Sequence, residues 1–275
     1  IAFLLGIYEE LIESIKSFDM KFVRFLLGFR FREAFSSVAW QFLGSLFAGI
    51  VGGIFIRSKL ISWLLSNKAV LIYSFFFGLI LATVPIIARV IKKWTFTKVL
   101  VVGFSAVITY VIVGLVPLET PQAMWFLFLC GAVCISAMIL PGISGAFILV
   151  LLGKYQFILD AVSHRDFLVL GVFVSGIVGG ILVFVRILGW LFEKYHDMTI
   201  TVITGIVIGS LRKIWPWKEI VQSITTSHGK VIPIKEINVF PEYFSGDVVL
   251  ALIIAGLGFA LALLFNTSPN KEILN

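Results

Sequence analysis

The stretch ILPGISGAFILVLLGKY, Ile139 to Tyr155, sets Pro141, Gly142 and Gly145 inside a run that is otherwise apolar enough to cross a membrane. Unpaired backbone groups are costly in hydrocarbon, so irregular chain at that depth is tolerated only where protein buries it or where it lines a cavity. Pro141 removes a donor and disfavours helical backbone at Leu140, while the glycines permit angles and close approaches that other residues do not. The segment is therefore expected to enter, turn at Pro-Gly-Ile-Ser-Gly and return as a re-entrant hairpin over residues 125–153. Its second half-helix, Ala146 to Gly153, is too short to span. The Ser144 hydroxyl and the free amides beside it offer partial positive charge to an anion such as a phosphate head group. A proline kink in an ordinary packed span is the plainer alternative.

The rest of the chain agrees with a membrane setting. Of its 275 residues 60% are hydrophobic and 13% charged, and the mean hydropathy is +1.08; soluble domains carry about 25% charged residues. Apolar runs extend over Trp40 to Ile56, Ala69 to Ile91, Val99 to Val116, Met124 to Leu140, Phe167 to Phe192, Met198 to Leu211 and Val248 to Phe265. They give about seven membrane segments in an all-α polytopic fold.

The formal net charge of +7 does not imply nucleic acid, because the cations sit at the ends of apolar runs, where they act as interfacial anchors and topology signals. Arg89, Lys92, Lys93 and Lys98 share one connection without an acid, whereas Pro117 to Gln122 carries only Glu119. That asymmetry assigns the first connection to the cytoplasm. Cys130 and Cys134, four apart on one apolar helix, read as packing residues, since neither a disulfide nor a metal site suits that spacing. No metal or cofactor is expected.

The chain repeats itself. IAFLLGIYEELIESIKSFD from Ile1 lies on ILVLLGKYQFILDAVSHRD from Ile148 without a gap, matching Gly6 to Gly153, Tyr8 to Tyr155 and Glu13 to Asp160. Further on, LGSLFAGIVGGI from Leu43 lies on LGVFVSGIVGGI from Leu170, in a register that brings Lys59 onto Arg186. Between the two alignments the first copy carries an extra block, residues 20–39, expected as an amphipathic interfacial helix. About three crossings separate the copies, so the second is expected upside down relative to the first, as in many secondary transporters. The resulting division is a first repeat at 1–94, a connecting span at 95–122, a second repeat at 123–217, a connection at 218–246 and a last span with its tail at 247–275. The counterpart of Pro141 falls before Ile1, so a twin hairpin is expected upstream.

The loop Pro141-Gly-Ile-Ser-Gly145 with its following ILVLLGKY, the opening AFLLGIYEELI and the run GIVIGSLRKIWPW, Gly205 to Trp217, resemble the bacterial undecaprenyl-phosphate translocases of the PopT type, formerly a domain-of-unknown-function family. The departures are the first hairpin motif, absent here, and the Gly-Ala after Ser144, where a threonine or serine is also common. The resemblance implies transfer of undecaprenyl phosphate from the outer to the inner leaflet of the bacterial cytoplasmic membrane, which recycles the lipid carrier of cell-wall synthesis.

For a lipid phosphate the candidate contacts are Pro141, Gly142, Ser144 and Gly145 of the turn, with Arg186, Lys59, Tyr8, Tyr155 and Arg212. Arg186 is the deepest cation of the sequence, flanked by apolar residues, and an arginine fork can grip phosphate with two hydrogen bonds; a snorkelling arginine at a span end is its plainer role. Arg212 and Lys213 can gather head groups or simply anchor. Glu13 and Asp160, matched between the copies, are candidates to carry a coupling proton or, more plainly, to face solvent. The expected partners are membrane lipid, undecaprenyl phosphate and a coupling proton or sodium ion, and a homodimer is left open. A transporter or channel for a small anion or ion suits the same scaffold. A polyprenyl-pyrophosphate phosphatase suits it less, because Ser144 has no base or cationic clamp beside it to make it a nucleophile.

Overall fold

The structure, a computed structural model, describes residues 7–18, 24, 28–30, 33, 36, 38–56, 64, 67–115, 120–121, 123–225, 231–241 and 243–266. Lys59 and most of the 20–39 block lie outside them. The described elements are α1 (Tyr8–Lys16), α2 (Trp40–Ile56), α3 (Ala69–Ala88), α4 (Phe96–Val113), α5 (Met124–Ile139), α6 (Gly145–Leu151), α7 (Tyr155–Ser163), α8 (Phe167–Ser210), a 3-10 turn (Leu211–Ile214), β1 (Lys218–Thr225), β2 (Val231–Asn238) and α9 (Gly246–Asn266). Among the described residues four helical stretches are long and apolar enough to cross a membrane, five if the bent pair α6 and α7 counts as one.

Helix ends follow local chemistry. Thr95 caps α4 by accepting from the Lys98 amide, and Asp166 caps α8 by accepting from the Val169 amide. The 44 residues of α8 are two arms meeting at Tyr195, whose backbone leaves the helical region (φ −133°, ψ 42°). The Thr199 hydroxyl donates to the Leu191 carbonyl, eight residues back, at 3.2 Å. In a straight helix that separation is about 12 Å, so the chain doubles back. Arm 167–194 packs on α5, with Gly176 and Gly180 against the backbone of Phe128 and Ala132; arm 196–210 packs on α4, with Gly205 and Gly209 against Val102 and Ala106. Small residues let membrane helices approach this closely.

Helices α3 and α9 run side by side in the same direction, Gly78 against Ala255 and Gly258 against Phe75, with Ala82 and Ala262 fully buried between them. Between the arms of α8, Val185, Leu188 and Phe192 meet Ile200, Ile203 and Val207, with Tyr8 and Ile12 of α1 and Ile87 of α3 in the same core.

The all-helical expectation gives way at residues 218–238, where β1 and β2 form an antiparallel hairpin with a bulge near Gln222. Pro233 is accommodated in β2 because both strands of a two-stranded sheet are edges. Trp215 closes the base of this hairpin, donating from Nε1 to the Val239 carbonyl at 2.9 Å and stacking edge-on against Phe77 of α3.

Candidate functional site

The Pro-Gly turn is where the chain reverses. Leu140 is extended, Gly142 has φ +92°, and Ser144 is extended again before α6. α6 then returns along α5. A side chain at Gly145 would strike Met138 and Cys134, the Cys134 thiol donates to the Gly145 carbonyl at 3.3 Å, and Leu149 joins Leu127 and Cys130 in one core. The tip is wedged against the end of α8, since a Cβ at Gly142 would overlap the Ser210 hydroxyl. Tyr8 braces it from the other side, donating to the Ile139 carbonyl at 3.1 Å with its ring edge-on to Phe192. Ser144 is exposed at the N-cap position just before α6 and makes no capping hydrogen bond. At seven residues α6 is a short dipole, so the anion-binding capacity read from the sequence reduces to the Ser144 hydroxyl and nearby amides.

The base of the hairpin is tied in both directions. Gly153 (φ +63°) ends α6 with Lys154 N–H donating to Leu149 and Gly153 N–H to Val150, the glycine-closed helix end, and α7 leaves at 107°. Thr120 donates to the Leu152 carbonyl at 2.6 Å, and Lys154, only 5% exposed, donates to the Thr120 carbonyl at 3.1 Å with its ammonium 5.8 Å from the rings of Phe126 and Phe157.

A group of cations gathers where α8 meets the β-hairpin. Arg212 donates to the Tyr110 carbonyl at 2.8 Å and lies 4.3 Å over the Tyr110 ring, in space that a side chain at Gly114 would fill. Lys213 and Lys218 both donate to Oε2 of Glu236, at 3.0 and 3.2 Å. Lys213 also stands 5.0 Å over Phe147 of α6, which connects this group to the broken hairpin. Burial alone would push the Glu236 carboxyl up, and the two ammonium groups more than reverse that, holding it below the usual carboxylate range; burial pushes the Lys218 ammonium down, with Glu236 opposing. A cavity of about 30 Å³ lies among these side chains, lined also by Val113 and Asn238.

The other sequence candidates are scattered. Arg186 lies on the exposed side of α8, donating to the carbonyls of Leu182 at 2.8 Å and Phe18 at 3.2 Å, neither of them in the hairpin. Tyr155 is half-buried near the hairpin base, beside the core of Leu127 and Cys130 and away from Tyr8 at the tip. Asp160 accepts from Gln156 at 2.9 Å. Glu13 is exposed and lines a cavity of about 170 Å³ with Lys16, Glu193 and His196. Lys59 is outside the described residues. An apolar cavity of about 560 Å³ runs between α5 and α8, from Phe128 past Gly179 to Leu140 at the hairpin tip.

Sequence reasoning missed Ser210, Lys154, Lys218, Glu236 and Phe147. The only available signal was the cluster of cations after Gly209, which named Arg212 and Lys213 without their partners.

Residues 1–232 match the undecaprenyl phosphate translocase-like (VCA0040-like) family. A polyprenyl-phosphate transporter of Vibrio cholerae serotype O1 is 38% identical over 269 residues, covering 96% of this chain and 87% of the relative. A polyprenyl-phosphate transporter of Staphylococcus aureus is 28% identical over 197 residues, 65% of this chain and 69% of the relative. No solved structure matches. With a family match over most of its length and a near-complete alignment to the Vibrio relative, this multi-pass membrane chain belongs to the undecaprenyl phosphate translocase-like family.

Proposed function

We propose that this chain carries undecaprenyl phosphate from the outer to the inner leaflet of the bacterial cytoplasmic membrane, returning the lipid carrier to cell-wall synthesis. The observation that carries the reading is the broken hairpin α5–α6, whose turn is lodged against the end of α8. Irregular backbone inside a membrane protein is retained where it lines a path for a polar group. Pro141, Gly142, Ser144 and Gly145 are then the point that the phosphate passes, and the apolar cavity ending at Leu140 receives prenyl chain.

Two further observations support the arrangement. The matched tyrosines, Tyr8 and Tyr155, each open a nine-residue helix, α1 and α7, as a repeated unit requires. We take the inversion of the repeats from the number of crossings between them. Trp215, just after the 3-10 turn, and Lys218 of β1 pack against the N-terminal half of α3, at Phe77 and Tyr73, while Arg89, Lys92 and Lys93 follow its last turn. With that last cluster in the cytoplasm, the β-hairpin and the cations beneath it face the outer leaflet, the side on which the carrier is collected. Arg186, with Lys59 as its counterpart, is assigned to passing the phosphate across the middle of the membrane, and Glu13 and Asp160 to a coupling ion.

The test is transfer of labelled undecaprenyl phosphate between leaflets of proteoliposomes, wild type beside Arg186→Ala, with released phosphate measured in the same vesicles. Transfer without phosphate release, reduced in the variant, is expected. No transfer above empty vesicles would redirect the assignment to small anions, and released phosphate would make the protein a hydrolase.

A further inference from the structure

The cations under the β-hairpin are out of balance with the acid they hold. Arg212, Lys213 and Lys218 surround a cavity to which the described residues contribute one carboxylate, Glu236, leaving a net charge of +2. Both lysines converge on the same carboxylate oxygen. The Lys218 side chain is 9% exposed; its ammonium donates to the Lys213 carbonyl at 2.6 Å and lies 4.8 Å over the Tyr73 ring, and the only anionic acceptor it meets among the described residues is the Glu236 oxygen it shares with Lys213. A phosphate monoester brings a charge of about −1.5 to −2 and three acceptor oxygens, which matches the net charge of these three cations and their one carboxylate. The cavity of about 30 Å³ has room for a water and none for a phosphate while Glu236 stays in place.

We propose that this basin is a docking site for a phosphate monoester, and that Glu236 is its built-in placeholder, displaced when the ligand arrives. Lys213 and Lys218 transfer from the carboxylate to the phosphate. The Arg212 guanidinium, held over Tyr110 and bonded through one nitrogen to its carbonyl, supplies a third donor group from its remaining N–H bonds. Because Lys213 also covers Phe147 of α6, occupation of the basin is felt by the hairpin whose turn the phosphate must pass. Asn238 donates to the Arg212 carbonyl at 2.9 Å, which ties the strand carrying Glu236 to the 3-10 turn, so the carboxylate can swing out without loss of the basin floor. The inference rests on the transport reading for its ligand, a prenyl phosphate, but the chemistry is that of any phosphate monoester.

The experiment is equilibrium binding to the full chain in nanodiscs, with labelled undecaprenyl phosphate as probe and undecaprenol and inorganic phosphate as competitors. Three proteins are compared: wild type, Lys213→Gln/Lys218→Gln and Glu236→Gln. The double variant is expected to weaken undecaprenyl phosphate more than about tenfold, and Glu236→Gln to tighten it by roughly threefold or more, since the competitor anion is gone. Neither change affects undecaprenol. Both variants break the same ion pairs, so a purely structural role would weaken binding in each; the opposite signs separate the two. Unchanged or weaker binding in Glu236→Gln overturns the proposal, as does equal loss of undecaprenyl phosphate and undecaprenol in the double variant. Competition by inorganic phosphate as strong as by the lipid identifies a soluble phosphate as the ligand of the same site. Leaflet transfer measured in parallel keeps the two ideas apart: transfer with no effect of the variants on binding sinks the basin alone, and opposite-signed binding effects without transfer sink the transport reading alone.

Discussion

Gly142 combines a positive φ with a neighbour, Ser210, that leaves no room for a side chain. Gly142→Ala is expected to cost about 1–2 kcal/mol from backbone conformation alone and to lower leaflet transfer severely. Adding Ser210→Gly removes the overlap but not the backbone term, so the double variant should recover part of the transfer and no more. Tyr8→Phe deletes one hydrogen bond, to Ile139, while keeping the ring against Phe192; a loss of about 1 kcal/mol, read as a melting shift of a few degrees, is expected. At this scale the sequence was legible where chemistry is local. Pro141 and Gly142 announced a break because proline and glycine act on their own backbone. Ser210 and Tyr8 as partners of that break lie far along the chain, and one sequence carries no record of which distant residues touch. Arg186 illustrates the converse, since apolar flanks singled it out but did not show that its guanidinium would turn to the carbonyls of Leu182 and Phe18.

Elements were legible through hydropathy and punctuation. Trp40–Ile56 emerged with the bounds expected, Gly153 closes α6 where the second half-helix was expected to end, and the break between the runs ending at Phe192 and starting at Met198 is the reversal at Tyr195. The strands escaped because KEIVQSIT and VIPIKEIN mix charge and proline in a connection whose neighbours are all apolar helices. Packing between elements makes a sharp contrast in GIVGGI. Gly180 faces the backbone of Ala132, whereas Gly179 faces only the edge of the Phe128 ring at 3.2 Å. Gly180→Ala should destabilise by about 1–3 kcal/mol, and Gly179→Ala by much less, since an exposed ring can rotate; thermal melts of the two variants test this. The join between the β-hairpin and the 3-10 turn is pH-dependent in a defined direction. Glu236 is held below its unfolded value, so its stabilisation is present above the ordinary carboxylate range and is lost as pH falls through the depressed one. Wild type and Glu236→Gln should differ in melting temperature at neutral pH and converge on acidification below the ordinary carboxylate range.

For the whole molecule, the membrane class could be read directly, because it is a property of many residues at once. Which end of α3 the β-hairpin occupies could not, because the cations of residues 89–98 and 212–218 give rival signals that only packing against Phe77 and Tyr73 separates. Among the described residues the most extensive helix pairing joins α3 to α9, with Gly78 and Ala255 177 residues apart along the chain. A chain stopped before Gly246 should still insert, yet lose the protease resistance of α3; limited proteolysis in membrane vesicles checks this. Translation runs at about 5–20 residues per second, so α3 waits roughly ten to thirty seconds for the helix that completes it. During that interval its notch of Ser74, Gly78 and Ala82 is open to lipid or to whatever chaperone attends insertion. A helix made so long after its partner is therefore the clasp of that pair, and a ribosome that stalls before it leaves an unclasped α3 for the cell's quality control to recognise.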